Sequence, residues 1–229
     1  MGRLHVVPES TAPGATRWTP IAALRRAADV VRNEGARSLV FGMLAETFYR
    51  RLLVFELELA GRPPAHEPPA DLSFGWLEES RVSEYERLRP GRGGQAKARL
   101  REGHSCFGTW LAGELVGVRW VATGAPLVEY LDLSLPLADG DVYHYDSFTA
   151  PEHRRRGLST ISQAKLAELV ERDGRRRIIR AVLPENRAAV RDAEKAGFRR
   201  QGCVGFVRLG RWRREFRHGP RLVSRNILT

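Results

Sequence analysis

The sequence predicts a mixed α/β domain preceded by an N-terminal helical extension, and three observations support that prediction. From residue 72 onward, strand-like and helix-like patterns alternate. The four prolines of residues 61–71, GRPPAHEPPAD, favour a stiff, extended connection. Over residues 21–60, apolar side chains recur at roughly helical intervals, which predicts a helix. These side chains are Leu39, Met43, Phe48, Leu52, Phe55 and Leu59.

The alternation after residue 72 can be assigned element by element. LSFGWLEE predicts a strand, VSEYERL and GQAKARLRE predict short helices, and SCFGTWLAGELVGVRWVAT predicts a hairpin around Gly113 and Glu114. VYHYDSFTA predicts a strand ended by Pro151, and a helix to about Arg172 follows. The strand RRIIRAVL, a helix over 186–196 and the strand RQGCVGFVRLG complete the order. The segment GAPLVEYLDLSLPLADGD either extends the hairpin or lines a pocket.

Composition predicts a soluble, cytoplasmic globular protein. With 229 residues and 42% hydrophobic content, the chain can bury a core. Its longest apolar region, residues 38–60, is interrupted by charged side chains, so no membrane span is expected. The two cysteines, Cys106 and Cys203, form neither a disulfide framework nor a metal-ligand cluster.

The net charge of +11 is concentrated at one end of the chain. Residues 150–229 carry +13, whereas residues 1–149 carry −2. Such a field attracts an anionic ligand or partner, without distinguishing a nucleotide, a nucleic acid and an acidic protein.

The segment APEHRRRGLST places three arginines and a glycine where a helix begins after a strand. In that order of elements, the backbone amides of residues 156–160 are unpaired at the positive end of the helix dipole, which makes a cradle for an anion. Gly157 lets the chain turn and lets a phosphate approach the backbone. The arginine side chains add charge. On this pattern alone, a solvated helix start with an incidental basic run stays open as the alternative.

Two separated motifs resemble the GNAT superfamily of N-acyltransferases. In TAPEHRRRGLS, Arg154 and Gly157 match the family's acyl-CoA pyrophosphate loop, whose usual form is Arg or Gln, two residues, Gly, one residue, then Gly or Ala. PENRAAVRDAEKAGF is similar to a later family segment. The resemblance covers about residues 72–210, leaving residues 1–71 and a basic C-terminal tail, residues 211–229, outside it.

The resemblance implies a mostly antiparallel sheet that splays open around an acyl-CoA co-substrate, with no metal. Phe148 and Thr149 would supply backbone contacts to the pantetheine arm, and Asn186 would touch the arm or the thioester from the other side. Core packing by Phe148 and helix capping by Asn186 are the structural alternatives. The pyrophosphate would lie on Arg154, Arg155, Arg156, Gly157, Leu158, Ser159 and Thr160.

Two positions depart from the family pattern. Ser159 replaces the usual second small residue, and its hydroxyl would either donate to a phosphate oxygen or crowd the loop. Ala193 stands where the family often has a tyrosine that protonates the departing thiolate. Because a thiol has a pKa of about 8.5, the thiolate can leave without full protonation.

Acyl transfer requires removal of a proton from the amine and stabilisation of an oxyanion. His144 and Asp146 are predicted to share one face of their strand, with Tyr143 and Tyr145 on the other. Asp146 is the first candidate for base or amine-positioning group, and His144 is the second. A turn or helix-cap carboxylate and a surface imidazole are the alternatives. Three further carboxylates stay open as candidates: Glu78, Glu79 and Glu129.

The sequence therefore predicts an N-acyltransferase that moves an acetyl or other short acyl group from CoA to a small-molecule amine by direct attack. A second hypothesis replaces the donor by an acidic acyl carrier protein or an aminoacyl-tRNA, because the tail RLGRWRREFRHGPRL would suit a polyanion. A third is a non-enzymatic nucleic-acid-binding module. The acceptor would be shaped by residues 80–104 and 124–141, and the N-terminal section is open as a pocket cover, a homodimer face or a brace.

Overall fold

The computed structural model describes residues 48–62 and 67–219. The strands are β1 (Tyr49–Glu58), β2 (Leu72–Trp76), β3 (Ser105–Leu111), β4 (Glu114–Ala122), β5 (Leu127–Val128), β6 (Leu133–Ser134), β7 (Asp141–Thr149), β8 (Arg177–Val182), β9 (Arg199–Leu209) and β10 (Trp212–His218). The α-helices are α1 (Val82–Leu88), α2 (Gly93–Arg101), α3 (Leu158–Arg172) and α4 (Arg187–Lys195). No helix within these residues is long and apolar enough to cross a membrane.

Eight of these strands form one sheet in the order β10-β9-β1-β8-β7-β4-β3-β2. The pair β7 and β8 is parallel, and the other neighbours in the sheet are antiparallel. The short strands β5 and β6 pair with each other. This mixed and mostly antiparallel sheet confirms the predicted fold class.

Neighbouring residues of β3 and β4 alternate between two layers of helices. Cys106 and Trp120 pack in one cluster with Tyr85 of α1. Phe107 and Val121 pack in another with Leu166 of α3. Because side chains alternate along a strand, α1 and α2 cover one face of the sheet, and α3 and α4 cover the other.

The insertion of residues 123–140, which contains β5 and β6, extends the layer of α1 and α2. Its Val128 and Leu131 pack with Tyr143 of β7 and Ile179 of β8. Residues 127–130 of the insertion also line a cavity above β7. Of the two alternatives for this segment, lining a pocket is therefore the one that the structure supports.

Residues 49–58 contradict the helix predicted over 21–60. They form β1, which lies between β8 and β9 and is antiparallel to both. Phe55 and Leu57 pack on the side of α3, whereas Leu52 and Val54 pack on the side of the insertion. A strand buried on both faces has a continuous apolar sequence, which periodicity alone does not distinguish from a buried helix. The rest of the predicted helix lies outside the described residues.

Residues 212–218, which fall within the predicted basic C-terminal tail of 211–229, belong to the sheet. They form β10, which pairs with β9 at the edge of the sheet. Arg213 Nη2 donates to the carbonyl oxygen of Leu131 at 2.7 Å, and its Nη1 donates to Asp132 Oδ2 at 3.3 Å. This part of the basic segment is thus joined to the insertion, and residues 220–229 lie outside the described chain.

The position of β1 predicts a large difference between two phenylalanines. Phe55 is 0% exposed and Phe48 is 45% exposed. We expect Phe55→Ala to lower the free energy of unfolding by about 3–5 kcal/mol, because it removes a ring from the core. Phe48→Ala should change that free energy by less than about 1 kcal/mol. Urea unfolding measures both, and equal losses would contradict the placement of β1.

Candidate active site

The candidate site lies where β7 and β8 separate. Their pairing runs from Asp141 opposite Arg177 to His144 opposite Arg180 and ends there. Strand β7 continues to Thr149, paired with β4 alone within the described chain. A cavity of about 490 Å³ occupies the opening.

The walls of this cavity come from both layers of the fold. The α1–α2 segment contributes Arg89, Arg92, Gln95 and Arg99. The insertion contributes residues 127–130, and the start of α4 contributes Asn186 and Ala189. Both segments that were expected to shape an acceptor pocket, 80–104 and 124–141, therefore line the cavity.

A β-bulge in β7 separates the two predicted catalytic side chains. The register between β4 and β7 shifts between Val118 and Trp120, and Asp146 has a positive φ of 43°. A bulge adds one residue to a strand and reorients the side chains around it. Asp146 contacts α1 and α2, whereas His144 faces the layer of α3 and α4. The prediction that they share a face is therefore wrong.

Asp146 bridges two arginines. Arg89 Nη1 donates to its Oδ1 at 2.8 Å, and Arg99 Nη1 donates to its Oδ2 at 2.5 Å. Burial raises the pKa of the carboxyl, but the hydrogen bonds and charges of Arg99 and Arg89 outweigh it, so the pKa is lowered overall. With both oxygens engaged and a low pKa, Asp146 is a weak base and a firm anchor for the guanidinium groups.

His144 is a neutral imidazole at the floor of the cavity. It is 1% exposed, and its Nε2 lies 2.7 Å from Ser147 Oγ. Burial, followed by the charges of Arg180 and Arg119, lowers its pKa well below the usual 6.5. Its Nδ1 has no hydrogen-bond partner in the part of the chain that the structure describes. His144 therefore offers one unpaired ring nitrogen.

Of the three other candidate carboxylates, Glu129 lies at the cavity, whereas Glu78 and Glu79 lie away from it. Glu129 lines the cavity, with Oε1 3.5 Å from Arg99 Nη2. Glu79 pairs with Arg101, and Glu78 accepts a hydrogen bond from Ser80. Neither Glu78 nor Glu79 contributes to the wall of the cavity.

The loop of residues 154–160 presents free backbone amides. Gly157 precedes α3 with a φ of 77°, and nothing lies within 4 Å of the position that a Cβ would take. Within the described residues, the amides of 155–159 have no hydrogen-bond acceptor, whereas the Thr160 amide donates to the carbonyl oxygen of Gly157 at 3.0 Å. Five amides at the positive end of α3 can thus bind an anion.

The three arginines of the loop, residues 154–156, differ in their contacts with the rest of the protein. Arg154 Nε donates to the carbonyl oxygen of Thr149 at 3.0 Å, and its guanidinium lies 5.7 Å from the centre of the Phe148 ring. Arg154 thus holds the end of β7. Arg155, with a positive φ of 62°, and Arg156 are exposed.

Ser159 faces the interior rather than the outside of the loop. Its hydroxyl donates to Asp192 Oδ1 at 3.0 Å and accepts from Arg119 Nη2 at 2.9 Å. With its proton donated to Asp192, this hydroxyl has none left for a phosphate oxygen. The backbone amide of Ser159 is therefore the group through which this residue can still donate a hydrogen bond to an anion.

Arg119 is a buried cation beside the first turn of α3. It is 3% exposed, and its hydrogen bonds go to neutral groups of Ser147, Ser159, Ser162 and Gln163. Burial and then the charge of Arg180 lower its pKa to about 10, against the opposing charge of Asp192. Arg119 therefore stays protonated at neutral pH and adds positive potential to the loop.

Two positions on α4 differ in their access to the cavity. Asn186 caps the helix, because its Oδ1 accepts from the Ala189 amide at 3.0 Å, and it also lines the cavity. Ala193 is 0% exposed and packs in the core. The position that often holds a tyrosine in the resembled family thus carries no group that reaches the cavity.

Six charged or hydroxyl residues at this site were not predicted from the sequence: Arg89, Arg92, Arg99, Arg119, Ser147 and Arg180. Single arginines on short helices are usually solvated, and nothing in the sequence marks these as different. The bulge alone brings Ser147 to His144. A signal existed for Arg119 and Arg180, because a charged residue within an apolar strand pattern, LVGVRWVA or RIIRAV, is a candidate for a buried functional group.

Comparison with known proteins agrees with this architecture. The model of the acetyltransferase (GNAT) family matches residues 69–198. A GCN5-related glucosamine N-acetyltransferase region of a fungal multidomain β-N-acetylglucosaminidase is 13% identical, over 81% of this chain and 23% of that chain, with a TM-score of 0.51. Identity at this level shows the fold alone.

Two bacterial structures are also similar. An acetyltransferase of the GNAT family from Novosphingobium aromaticivorans is 21% identical over 67% of this chain and 62% of its own, with a TM-score of 0.46. A GCN5-related N-acetyltransferase from Sphaerobacter thermophilus is 17% identical over 81% and 58%, with a TM-score of 0.49. The chain spans less than two thirds of the length of each of these three structures. No curated protein matches it.

The Asp146 bridge predicts a stability effect that depends on pH. We expect Asp146→Asn to lower the free energy of unfolding by about 1–3 kcal/mol at pH 7, because it removes the charge that two guanidinium groups share. The pKa of Asp146 is lowered in the folded state, so its contribution is complete above the unfolded value of about 3.9 and is lost as the pH falls through the folded pKa. The difference from the unsubstituted protein should therefore shrink below about pH 4.

Asp132 provides a matched control for this variant. It also has a positive φ, 49°, and also pairs with an arginine, but its side chain is 75% exposed. Asp132→Asn should change stability by less than about 1 kcal/mol. Urea unfolding at pH 7 and pH 3 measures both variants, and a loss for Asp146→Asn that is independent of pH would contradict the assigned bridge.

Proposed function

The chain belongs to the acetyltransferase (GNAT) family, and from that premise we propose that it transfers an acyl group from a CoA thioester to an amine. One observation carries the proposal: within the described chain, β7 is unpaired on the side of β8 beyond His144, and free backbone amides precede α3 a few residues after β7 ends. The free amides suit the pyrophosphate of CoA, and the unpaired edge of β7 suits the amide groups of its pantetheine arm.

On the donor side, the amides of 155–159 would hold the pyrophosphate, and the exposed side chains of Arg155 and Arg156 would add charge. The helix dipole of α3 and the buried cation of Arg119 would increase the positive potential there. The backbone of β7 from 145 to 149, including Phe148 and Thr149, would contact the pantetheine arm. Asn186 would border that arm while it caps α4.

On the acceptor side, a neutral amine would attack the thioester carbon directly, expelling the CoA thiolate. His144 takes first place among the candidate bases, because its ring is neutral and its Nδ1 is unpaired among the described residues. Asp146 takes the role of a positioning group, because both of its oxygens bind guanidinium groups. The guanidinium groups also favour a neutral amine over an ammonium ion.

The donor loop is tested by two glycines at opposite ends of α3. Gly157 and Gly174 have φ values of 77° and 76°, and neither has an atom within 4 Å of the position of a Cβ. A glutamate at either position therefore causes similar backbone strain. We expect Gly157→Glu to weaken CoA binding at least tenfold, because its side chain would enter the anion site with a negative charge.

Gly174→Glu should leave CoA affinity within about twofold, since it lies beyond the C-terminal end of α3. Isothermal titration with CoA measures both variants, and thermal melts check that each is folded. CoA should also raise the melting temperature of the unsubstituted protein. Unchanged CoA affinity in folded Gly157→Glu would rule out this loop as the donor site.

A polyanionic carrier as donor is the second candidate, favoured by the exposed arginines Arg211, Arg214 and Arg217 at β10. Deleting residues 211–229 would remove a strand of the sheet, so substitution to glutamine is the sharper test. If free acyl-CoA is the donor, we expect the triple variant to keep its turnover with acyl-CoA within about twofold, because these arginines lie outside the cavity wall.

The two donors are also distinguished by the effect of salt. Binding of a tRNA that engages these arginines would weaken steeply as salt rises, through counterion release, and would weaken further in the triple variant. Acyl transfer from a carrier protein or a tRNA, with none from acyl-CoA, would overturn the choice of CoA. Quantification of the acylated product by mass spectrometry decides between them.

A further inference from the structure

We propose that the acceptor is an amine that also carries an anionic group, and that Arg92 and Arg89 bind this group. The inference rests on the proposed function and adds a substrate class to it. It follows from the charges of the cavity wall, from the hydrogen-bonding groups that remain unengaged there, and from the chemistry that an amine must undergo.

The wall of the cavity has an excess of positive charge. Four guanidinium groups and two carboxylates line it: Arg89, Arg92, Arg99, Arg180, Glu129 and Asp146. Arg180 is balanced from outside the wall, because its Nη1 lies 3.2 Å from Asp192 Oδ2. His144 is neutral. On the α1–α2 side, three guanidinium groups thus face two carboxylates.

Arg99 is paired with two carboxylates of the protein. Its Nη1 binds Asp146 and its Nη2 lies 3.5 Å from Glu129. Its guanidinium also lies within 5.3 Å of the ring centres of Trp120 and Tyr145. Arg99 therefore uses its charge to hold Asp146 and to join α2 to the insertion, and it is not the group that we assign to a ligand.

Arg89 has hydrogen-bonding capacity left over. Its Nη1 contacts Asp146 and the Tyr85 hydroxyl, whereas its Nε and Nη2 have no hydrogen-bond partner in the described part of the chain. Its guanidinium lies 5.0 Å from the centre of the Phe148 ring. These contacts fix the orientation of the guanidinium, so little conformational entropy would be lost when it binds a planar anion.

The guanidinium group of Arg92 forms no ion pair with a carboxylate of the described residues. Its Nη1 donates to Gln95 Oε1 at 3.0 Å, and within 48–62 and 67–219 no acidic side chain pairs with it. It is exposed at the start of α2 and lines the cavity. Together with Arg89, it presents the hydrogen-bond donors that carboxylate and phosphate groups prefer.

The positive charge of the cavity wall affects both the binding and the protonation of an acceptor amine. An acceptor whose only charge is its ammonium group would be repelled by the excess guanidinium. An anionic group on the same molecule would offset that repulsion, and Arg92 and Arg89 would orient the molecule. The guanidinium groups would meanwhile lower the pKa of the amine, which favours the neutral form that attacks the thioester. One arrangement of charges thus selects the acceptor and prepares it for reaction.

The test compares matched pairs of amines that differ in the anionic group. The carboxylate pairs are phenylalanine with phenethylamine and tyrosine with tyramine, and the phosphate pair is O-phosphoethanolamine with ethanolamine. Saturation-transfer NMR titrations measure binding of each compound to the full chain with desulfo-CoA present. We expect the anionic member of at least one pair to bind about tenfold more tightly or better, and the preferred pair identifies carboxylate or phosphate.

Variants of α2 assign the preference to a residue. Arg92→Gln should reduce the preference for the anionic member about tenfold, and Arg92→Lys should retain part of it. Arg101→Gln is the control, because Arg101 is an exposed arginine of the same helix that pairs with Glu79 and does not line the cavity. The same pattern should appear in the KM of acyl transfer.

Three outcomes would overturn the inference: equal binding of both members of every pair, a preference that Arg92→Gln leaves unchanged, or no binding by any anionic member. Different results would refute the proposed function itself: CoA would not bind, and no amine would be acylated. Acylation of amines without an anionic group, with CoA bound normally, would refute the substrate class and leave acyl transfer in place.

Discussion

The end of the β7–β8 ladder at His144 is the constraint on which the site depends. Up to that residue, β7 is an ordinary interior strand with partners on both sides. Beyond it, the bulge at Asp146 bends the strand while the ladder to β4 continues. The sheet is therefore open at its centre without losing its continuity. The opening connects the layer of α1 and α2 with the layer of α3 and α4, so groups on both faces of the sheet border one cavity.

The bulge also sorts the polar groups into two clusters. On one face, Asp146 is neutralised by Arg89 and Arg99. On the other, His144 shares Ser147 with the buried Arg119. Without the extra residue, Asp146 would share a face with His144, and a carboxylate would then lie near the buried cation. In the observed arrangement, Arg119 donates its hydrogen bonds to neutral acceptors, with Asp192 as the opposing charge, close to a loop whose free amides also attract an anion.

The parts of this structure that sequence analysis predicted are those with local causes. The hairpin of β3 and β4 and the helix after Gly157 follow from turn chemistry and alternation over a few residues, and capping, one of the two roles left open for Asn186, follows from a local side-chain hydrogen bond. The parts it missed depend on distant partners. Strand β1 is buried by β8 and β9, which lie more than a hundred residues away along the chain. The contacts of Arg99 with Asp146 depend likewise on the bulge, and no local pattern signals either.

The shifted pKa values of the cavity suggest which group titrates during the reaction. Burial and nearby arginines lower the pKa of His144, and the arginine bridge lowers that of Asp146. Burial raises the pKa of Tyr143 and Tyr145. All four shifts move away from neutrality, so these side chains keep one protonation state across the physiological range. An acceptor amine bound in this cavity would then be the group whose protonation changes with pH, and the guanidinium groups around it would lower its pKa. In the proposed mechanism, fixed positive charge would thus favour the neutral amine, and His144, with its lowered pKa, would be a weaker base than one matched to neutral pH.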